Sequence, residues 1–526
     1  MEPLVRSGER RSSRAAHKFS FVCVGAAIAA LLLFAPSAHA LIFPVSNTAD
    51  TGSGSLRQAI MDANTAAGPD VVDATGVSGT INLGSQLPFL TQEIEIRGPG
   101  AGTLTVRRNA ASAFRIFSVL ATKAEISGLT IANGLNSSPV SGGAGILNSQ
   151  GTLTLRDSVV TENVNAGTGN SENGGGIDNL GASASSPATT TIIDSTVSDN
   201  TAAGYGAGIM NDAFGTLTLR NSTVSGNIAQ GGAGCVGGGG IHTAQTLIVE
   251  NSTVTGNMAP PNGPAGGILS CSEGGSTTIT NSTIARNSAS PGRPANLVIA
   301  QKGTVPNSMT LQGAIVAGPL SGGPNCLVDG MAVLASNGYN VADDSSCNLT
   351  GTTDQPGTNP LLSGLADNGG PTQTMALAPN SPAVDKGVSA GLASDQRGLT
   401  RPVDFPSIPN ASGGDGSDVG AFELQALPAS DFSFGKLKRN KKNGTATLTV
   451  ILPGPGALNL QRTRRVKGQS ASAGAAGPVK IVIKPTRNTR RKLRRLGKAT
   501  ASASITYTPE AALPSTHRRA IKLLKR

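Results

Sequence analysis

Four aspartates are candidates for acid–base chemistry because they fall in a repeating, strand-rich part of the chain: Asp178, Asp194, Asp199 and Asp212. Polysaccharide hydrolases and lyases use paired carboxylates, or carboxylates with a metal ion and a basic residue. These four residues form no tight cluster in the sequence, and none has Lys or His beside it. The pattern favours a protein that cleaves no glycan; the alternative is a carbohydrate-active enzyme whose site the sequence does not reveal.

The remaining candidates for catalysis or metal binding have simpler interpretations. His242 is the only histidine of the repeating part and precedes a strand residue, which favours a structural role. Asp415-Gly416-Ser417-Asp418 could hold calcium, but a turn that leads into the final strand explains it better. The chain contains no Ser-His-Asp arrangement, phosphate-binding loop or metal-binding helix motif. The sequence therefore predicts no catalytic residue, no metal and no cofactor.

A cationic cluster is the second group of residues with chemical potential. Residues 431–526 contain 23 Lys and Arg against 2 Asp and Glu, whereas residues 41–430 contain 14 against 27. The densest run consists of Arg487, Arg490, Arg491, Lys492, Arg494 and Arg495. A solvated surface that keeps the chain soluble is the simpler interpretation. Because the imbalance exceeds what solubility needs, we expect low-specificity binding to anionic polymers that weakens with salt.

Residues 1–40 have the pattern of a secretory signal peptide. A positive segment precedes the apolar run 19–35, and Ala38-His39-Ala40 ends in the small residues of a cleavage site. A membrane anchor is the alternative, but the run is short for a span. We expect a secreted or cell-surface protein with no transmembrane span in the mature chain. Its expected partners are anionic cell-wall or extracellular polymers rather than nucleic acid, with the acidic repeat region as a second candidate in cis.

Export also determines how the five cysteines are interpreted. Cys23 leaves with the signal peptide, so the mature chain keeps an even number, which suggests disulfides in an oxidising compartment. Cys235 and Cys271 flank strands of neighbouring repeats, and Cys326 and Cys347 bracket a loop-rich stretch. We predict the pairs Cys235–Cys271 and Cys326–Cys347, because the spacings resemble no zinc site.

A repeat of about thirty residues must position all of these groups. Asn221-Ser222-Thr223-Val224-Ser225-Gly226-Asn227 returns as 251–257 and 281–287. Degenerate copies stand at 157–163, 194–200 and 312–318. A fixed period of this length is typical of one supersecondary unit stacked on its own copies.

Each copy predicts three short strands. Leu217 and Leu219 have the period-two spacing of a half-buried strand. Three residues after the leading position comes an unbroken β-branched column: Val160, Val197, Val224, Val254 and Ile284. A Gly-rich run that ends in Ile supplies the third strand, as at Ile241. Three strands per turn with Gly and Asn at the corners predict an all-β coil rather than hairpins.

The asparagines of the repeat predict stacked amides inside this coil. Parallel strands lie about 4.8 Å apart, so an Asn at the same place in successive turns can bond to the next. We expect one column from the leading residues Asn221, Asn251 and Asn281, and another from the trailing residues Asn227, Asn257 and Asn287. Asn-Ser-Thr also fits a glycosylation site. The fixed period and the replacement of Asn by Asp in two copies favour the ladder.

The start of the mature chain resembles a known group of exported proteins. Ser55-Leu56-Arg57-Gln58-Ala59-Ile60 resembles the CSLREA motif that opens many bacterial β-helix proteins. Gly54 and Gln58 replace its usual Cys and Glu, so a disulfide or ion pair made by those positions is absent. Ser53 or Ser55 can cap a short helix whose residues Leu56, Ile60 and Ala63 share one face, as an end cap requires.

A second resemblance covers the end of the repeats. Ala366-Asp367-Asn368-Gly369-Gly370-Pro371-Thr372, Asp395-Gln396-Arg397-Gly398 and Asp418-Val419-Gly420-Ala421-Phe422-Glu423 are similar to the choice-of-anchor Q region, although the Cys often found before Asp418 is missing. The two resemblances imply a right-handed parallel β-helix, the pectate-lyase-like solenoid, with caps and outside the cell. They imply no reaction.

These observations divide the chain into five parts. They are a signal peptide (1–40), an N-terminal cap with the first coils (41–115), β-helix repeats (116–320), C-terminal coils with a cap (321–427) and a basic module (431–526). Alternating strands between Gly and Pro turns in the last part predict a small β-sandwich. We expect a monomeric, non-catalytic surface protein with a structural or adhesive role.

Overall fold

The computed structural model describes residues 40–138, 141–167, 173–231, 237–426, 431–509 and 514–526. Within these ranges the chain is all-β apart from two helices, and its main part is a parallel β-solenoid of about ten turns. Antiparallel sheets follow at the C-terminus. The expected fold class is confirmed at this level.

Three long parallel sheets run along the solenoid, and their register keeps equivalent repeat positions in line. Sheet 1 contains Ile42–Pro44, Asp70–Asp73, Ile94–Arg97, Lys123–Ser127, Thr152–Arg156, Ala188–Ile193, Gly215–Arg220, Thr246–Glu250, Ser276–Thr280, Ser308–Gln312 and Val333–Ser336. Sheet 2 contains Phe117–Leu120, Ile146–Ser149, Ile177–Leu180, Ile209–Asn211, Ile241–Thr243, Ile268–Ser272, Leu297–Gln301 and Cys326–Val328. Sheet 3 contains Gly79–Leu83, Leu104–Arg108, Thr130–Ala132, Val159–Thr161, Thr196–Ser198, Thr223–Ser225, Thr253–Thr255, Thr283–Ala285, Ile315–Ala317, Val341–Ala342 and Gln355–Pro356.

Two smaller sheets complete the solenoid part. A short parallel sheet contains Leu135–Asn136, Val164–Asn165, Thr201–Ala202 and Ile228–Ala229. An antiparallel pair is formed by Leu362–Ala366 and Thr374–Leu377.

The interior of the solenoid is a stack of aligned aliphatic side chains. In sheet 3, Val197 pairs with Val224, Val224 with Val254 and Val254 with Ile284, and all four are fully buried. One turn alone cannot bury such a face, so each coil depends on the coils above and below it.

Left-handed backbone corners separate the strands. The leading position of each repeat has a positive φ, at Asp157, Asp194, Asn221, Asn251 and Asn281. So does the position five residues later, at Glu162, Asp199, Gly226, Gly256 and Arg286. Asn, Asp and Gly tolerate this conformation best, which explains why each of these five leading positions is Asn or Asp.

The trailing asparagines form a continuous buried ladder. The Asn227 Nδ2 donates to Asn257 Oδ1 at 2.9 Å, and the Asn257 Nδ2 donates to Asn287 Oδ1 at 3.0 Å. The ladder extends upstream through Asn200 and Asn163, each of which donates to the next Asn. All five side chains are fully buried. The amides thus satisfy one another where water has no access.

A second and a third ladder were not expected from the sequence. Asn148 donates to Asn179 at 2.8 Å, and Asn179 donates to Asn211 at 2.7 Å, along sheet 2. The third ladder is formed by the serine that follows each leading residue. The Ser252 Oγ accepts from the Ser222 N–H, and the Ser252 N–H donates to Ser282 Oγ, both at 3.1 Å.

The expected internal column of Asn221, Asn251 and Asn281 has to be corrected. These residues lie at the left-handed corners, where the C-terminal segment 360–424 covers them. The Asn251 Nδ2 donates to the Ser394 carbonyl at 2.7 Å, and the Asn281 Nδ2 donates to the Ser389 carbonyl at 2.9 Å. A left-handed corner turns the side chain away from the stack, so the leading asparagines hold the cap segment rather than one another.

Buried ion pairs anchor this cap segment. Arg401 and Glu423 are paired at 2.9 Å with both side chains fully buried, and the Arg401 Nη1 also donates to Asn251 Oδ1. Arg397 pairs with Asp395 at 2.6 Å. A buried charge that loses its partner costs several kcal/mol, about 3–5, so these pairs fix where the segment lies on the coils.

Helix α1, Leu56–Thr65, closes the N-terminal end of the core as predicted. The Ser55 Oγ caps it by accepting from the Gln58 N–H at 3.2 Å. Its buried face consists of Leu56, Ala59, Ile60 and Ala63.

The predicted Cys326–Cys347 disulfide is confirmed, with a Cα–Cα distance of 4.9 Å. For the other predicted pair, Cys235 lies outside the described residues. Cys271 is buried and disulfide-bonded.

The C-terminal module has a hydrophobic core of its own, which runs from Phe432 to Leu523. One antiparallel sheet contains Ser433–Asn440, Thr445–Leu452 and Gly477–Ile483, and the other contains Gly456–Leu460, Gln469–Ala473, Lys498–Pro509 and Ser515–Leu524. Helix α2, Arg487–Leu496, was not expected; the sequence had suggested strands alone for this module.

We predict that Asn257→Leu lowers the free energy of unfolding by about 1–3 kcal/mol, because the buried Asn227 backbone N–H and side-chain amide lose the Asn257 Oδ1 acceptor, and Asn287 Oδ1 loses a donor. Chemical denaturation of residues 41–526, followed by circular dichroism, measures the change. Thr278→Ala on the exposed face of sheet 1 is the control and should stay within about 0.5 kcal/mol of the wild type. Equal effects of the two substitutions would contradict a stabilising role for the ladder.

Candidate functional site

The four candidate aspartates do not meet in one site. Asp194 and Asp199 occupy left-handed corners, with φ of 50° and 55°. Asp178 lies on a strand of sheet 2, and Asp212 follows the next strand of that sheet. Asp194 and Asp199 therefore adopt the left-handed backbone conformation that the corners require. Of the four candidates, Asp178 and Asp212 are the pair whose charges interact.

Asp178 and His242 share one column of sheet 2 but are not in contact. Asp178 pairs with Met210 in the register, and Met210 pairs with His242. Two strand spacings correspond to about 10 Å, which is too far for a hydrogen bond between the two side chains.

Asp178 is held in its neutral form at neutral pH. Burial, together with the charge of Asp212, raises its pKa to about 8, although Arg115 and the Gly142 N–H act in the opposite direction. Its Oδ1 is buried without a hydrogen-bond partner among the described residues. The side chain is thus a desolvated carboxyl group with Asp212 as its acidic neighbour.

His242 is neutral as well. Burial lowers its pKa to about 4, and its ring stacks on Tyr205 with 4.6 Å between the ring centroids. The ring is almost completely buried, and Nδ1 has no partner among the described residues. This environment favours the structural role that the sequence suggested.

The Asp415–Asp418 segment is a bend in the structure, but the strand expected after it is not there, because residues 417–426 contain no strand. The Asp415 carboxylate accepts from the Ser417 N–H at 3.0 Å and from the Ser389 N–H at 2.9 Å. Asp418 accepts from the backbone of Asp385 and Leu424. Across the described ranges there is no group of three or more His, Cys, Asp or Glu residues that could hold a metal ion.

Helix α2 presents the predicted cationic cluster. Thr489 and Leu493, one turn apart, are its buried residues, and Gly497 ends it with a φ of 66°. The other positions face outward, so six exposed cations surround the helix: Arg487, Arg490, Arg491, Lys492, Arg494 and Arg495. With two buried residues in ten, the helix depends on the sheet beneath it for its stability.

The module has few acidic residues that could neutralise the cations of α2. The module contains two, Asp431 and Glu510; Glu510 lies outside the described residues. Asp431 pairs with His517 at 2.6 Å.

The structure gathers further basic segments around α2. The turn at Gly444 lies against Leu493 of the helix, which brings Lys441 and Lys442 to its C-terminal half. At the other end, the Thr486 N–H donates to the Arg465 carbonyl at 3.1 Å, so the segment 462–467 adjoins the first turn. Arg462 and Arg464 were missed as site residues. Their spacing in Arg462-Thr463-Arg464-Arg465 was visible, but nothing in the sequence placed it beside α2.

No described helix is both long enough and apolar enough to cross a membrane.

We predict that Asp178→Asn flattens the dependence of stability on pH. The folded pKa of about 8 lies above the unfolded value near 4, so protonation favours the fold. Wild-type stability from this group is complete below about pH 4 and falls by up to about 1.4 kcal/mol per pH unit until about pH 8. Denaturation curves should therefore show that the free energy of unfolding of Asp178→Asn, relative to the wild type, increases as the pH rises across this window. Asp329→Asn, at an exposed site, is the control, and parallel wild-type and Asp178→Asn curves would contradict the prediction.

No protein-family model matches the chain, and neither does any curated protein or any solved structure. The function is therefore inferred from the geometry of the chain itself.

Proposed function

We propose that this is an exported, non-catalytic β-helix protein with a structural or adhesive role, whose module 431–526 binds anionic polymers of the cell envelope. The finer identity belongs to the same proposal: a right-handed, pectate-lyase-like helix with a CSLREA-like start, a choice-of-anchor Q-like cap and a cleaved signal peptide. The observation that carries it is the ring of exposed cations on α2.

The cations of α2 are arranged to act together. Arg487, Arg491 and Arg494 point away from the buried residues Thr489 and Leu493, and the helix places such side chains about 5–6 Å apart. Like charges this close repel one another, so an anionic partner that neutralises them gains favourable energy. Lys441, Lys442 and the segment 462–467 enlarge the same surface.

The solenoid supports a mechanical rather than a chemical role. Its interior is filled by aliphatic columns and ladders of amides, and its candidate acid and base are separated and neutral. Such an array is rigid because every coil is bonded to the next.

A carbohydrate-active enzyme is the second candidate, and Asp178 is the observation that favours it. A carboxyl group whose pKa is raised to about 8 has the protonation state that a general acid needs. We expect no depolymerisation of acidic glycans by the purified mature protein, because the Asp178 side chain is buried rather than exposed to a substrate. Reducing-end assays test this, and cleavage that Asp178→Asn abolishes would establish the enzyme instead.

For the binding function, we predict that changing Arg490, Arg491, Arg494 and Arg495 together to Gln weakens binding to anionic polymers by roughly tenfold or more. Wild-type binding should fall steeply with salt, because exposed charges are screened over about 10 Å at 0.1 M. Isothermal calorimetry at low and high salt measures both effects.

Changing Lys436, Lys438, Arg439 and Lys480 to Gln is the matched control. It removes the same charge from exposed positions on the other sheet and should cost much less affinity. Binding that is absent at low salt, or indifferent to salt and to the α2 substitutions, would show that the module is only a solvated domain.

A further inference from the structure

We propose that the module recognises phosphate groups, at a subsite formed by Arg462, Arg464 and Arg487, and that its partner is a phosphodiester-linked envelope polymer. This inference rests on the proposed polyanion binding and names the anion that the surface selects.

The subsite is an open groove between the segment 462–464 and the first turn of α2. Its volume is about 530 Å³, and it is lined by Arg462, Thr463, Arg464, Thr486, Arg487 and Asn488. Arg462, Arg464 and Arg487 are all exposed and have no acidic partner among the described ion pairs. Three arginines and an asparagine therefore border one open groove.

The groove is held in shape by hydrogen bonds of its own backbone. The Thr463 N–H donates to the Val466 carbonyl at 3.0 Å, and its Oγ1 accepts from the Val466 N–H at 3.1 Å, which makes 463–466 a tight turn. Thr486 then joins this turn to α2, because its Oγ1 donates to the Arg464 carbonyl at 2.9 Å. A site fixed before binding loses less entropy when it binds.

The donor set fits phosphate better than carboxylate. A guanidinium presents a planar fork of N–H groups that suits either anion. A carboxylate has two oxygens and is satisfied by one fork, whereas a phosphate group presents more acceptor oxygens and can engage several forks at once. Three arginines on one groove match the anion with more oxygens.

The distribution of arginine and lysine in the module agrees with this choice. Eight of its twelve arginines lie between residues 462 and 495, whereas its eleven lysines are spread over the whole module. A surface selected only for positive charge has no need for arginine in one place. Arg487 both lines the groove and begins helix α2, so the groove adjoins the other cations of the helix. One phosphate of a polymer can therefore bind in the groove while the following phosphates contact the helix.

The test compares two polyanions of similar charge density, poly(glycerol phosphate) and polygalacturonate, on the full mature chain at low salt. We expect the wild type to prefer the phosphate polymer. Arg462→Lys together with Arg464→Lys keeps the charge and removes two forks, so the ratio of the two Kd values should fall by roughly fivefold or more while polygalacturonate binding is retained. Retained binding also shows that the variant is folded.

Lys436→Arg with Lys438→Arg is the control; it adds forks outside the groove and should leave the ratio unchanged. Equal affinity of the wild type for both polymers, or an unchanged ratio in the double-lysine variant, overturns the subsite and leaves general polyanion binding intact. If the wild type binds neither polymer at low salt, the proposed function itself is refuted. Inorganic phosphate that competes fully at equal phosphate concentration, or DNA that binds more tightly than poly(glycerol phosphate), would overturn the choice of an envelope polymer.

Discussion

The buried amide ladder is the constraint on which the solenoid depends. Asn163, Asn200, Asn227, Asn257 and Asn287 each donate to the next amide in the stack, in a place that water does not reach. An Asn that slips out of register leaves two buried polar groups unpaired, whereas the aliphatic columns tolerate small shifts. The apolar core supplies most of the stabilisation because the hydrophobic effect is the largest favourable term in folding. The amides determine which residue lies above which, because they bond in one register only.

That register determines where the rest of the molecule can attach. Because the coils are aligned, the left-handed corners at Asn251 and Asn281 form a straight row, and the cap segment bonds to that row through Ser394 and Ser389. Arg401 then reaches both Asn251 and Glu423 in a fully buried position. The segment 360–424 thus lies along successive coils, and its position is specified by the same periodicity that builds the core.

The two parts of the chain use charge in opposite ways. Several ionisable groups of the solenoid are buried, either in their neutral form, as Asp178 and His242 are, or in an ion pair, as Arg401 is. On the module, the arginines of α2 and of the groove beside it are exposed. This contrast favours the module as the binding part and the solenoid as its support.

The sequence by itself determined the coil, its aliphatic columns and the trailing Asn ladder, because a fixed period repeats the same local choices. It also indicated the N-terminal cap helix, from the spacing of Leu56, Ile60 and Ala63, and the Cys326–Cys347 bridge, from the even number of cysteines that remain after Cys23. Only the tertiary structure decided that Asn221, Asn251 and Asn281 face the cap segment, since a corner residue's direction depends on its left-handed φ and not on its type. It also decided that 487–496 is a helix, although its sequence is mostly cationic, because Leu493 and Thr489 can pack on a sheet that forms from distant strands. The groove of Arg462, Arg464 and Arg487 exists for the same reason: hydrogen bonds of Thr486 join two segments that lie more than twenty residues apart.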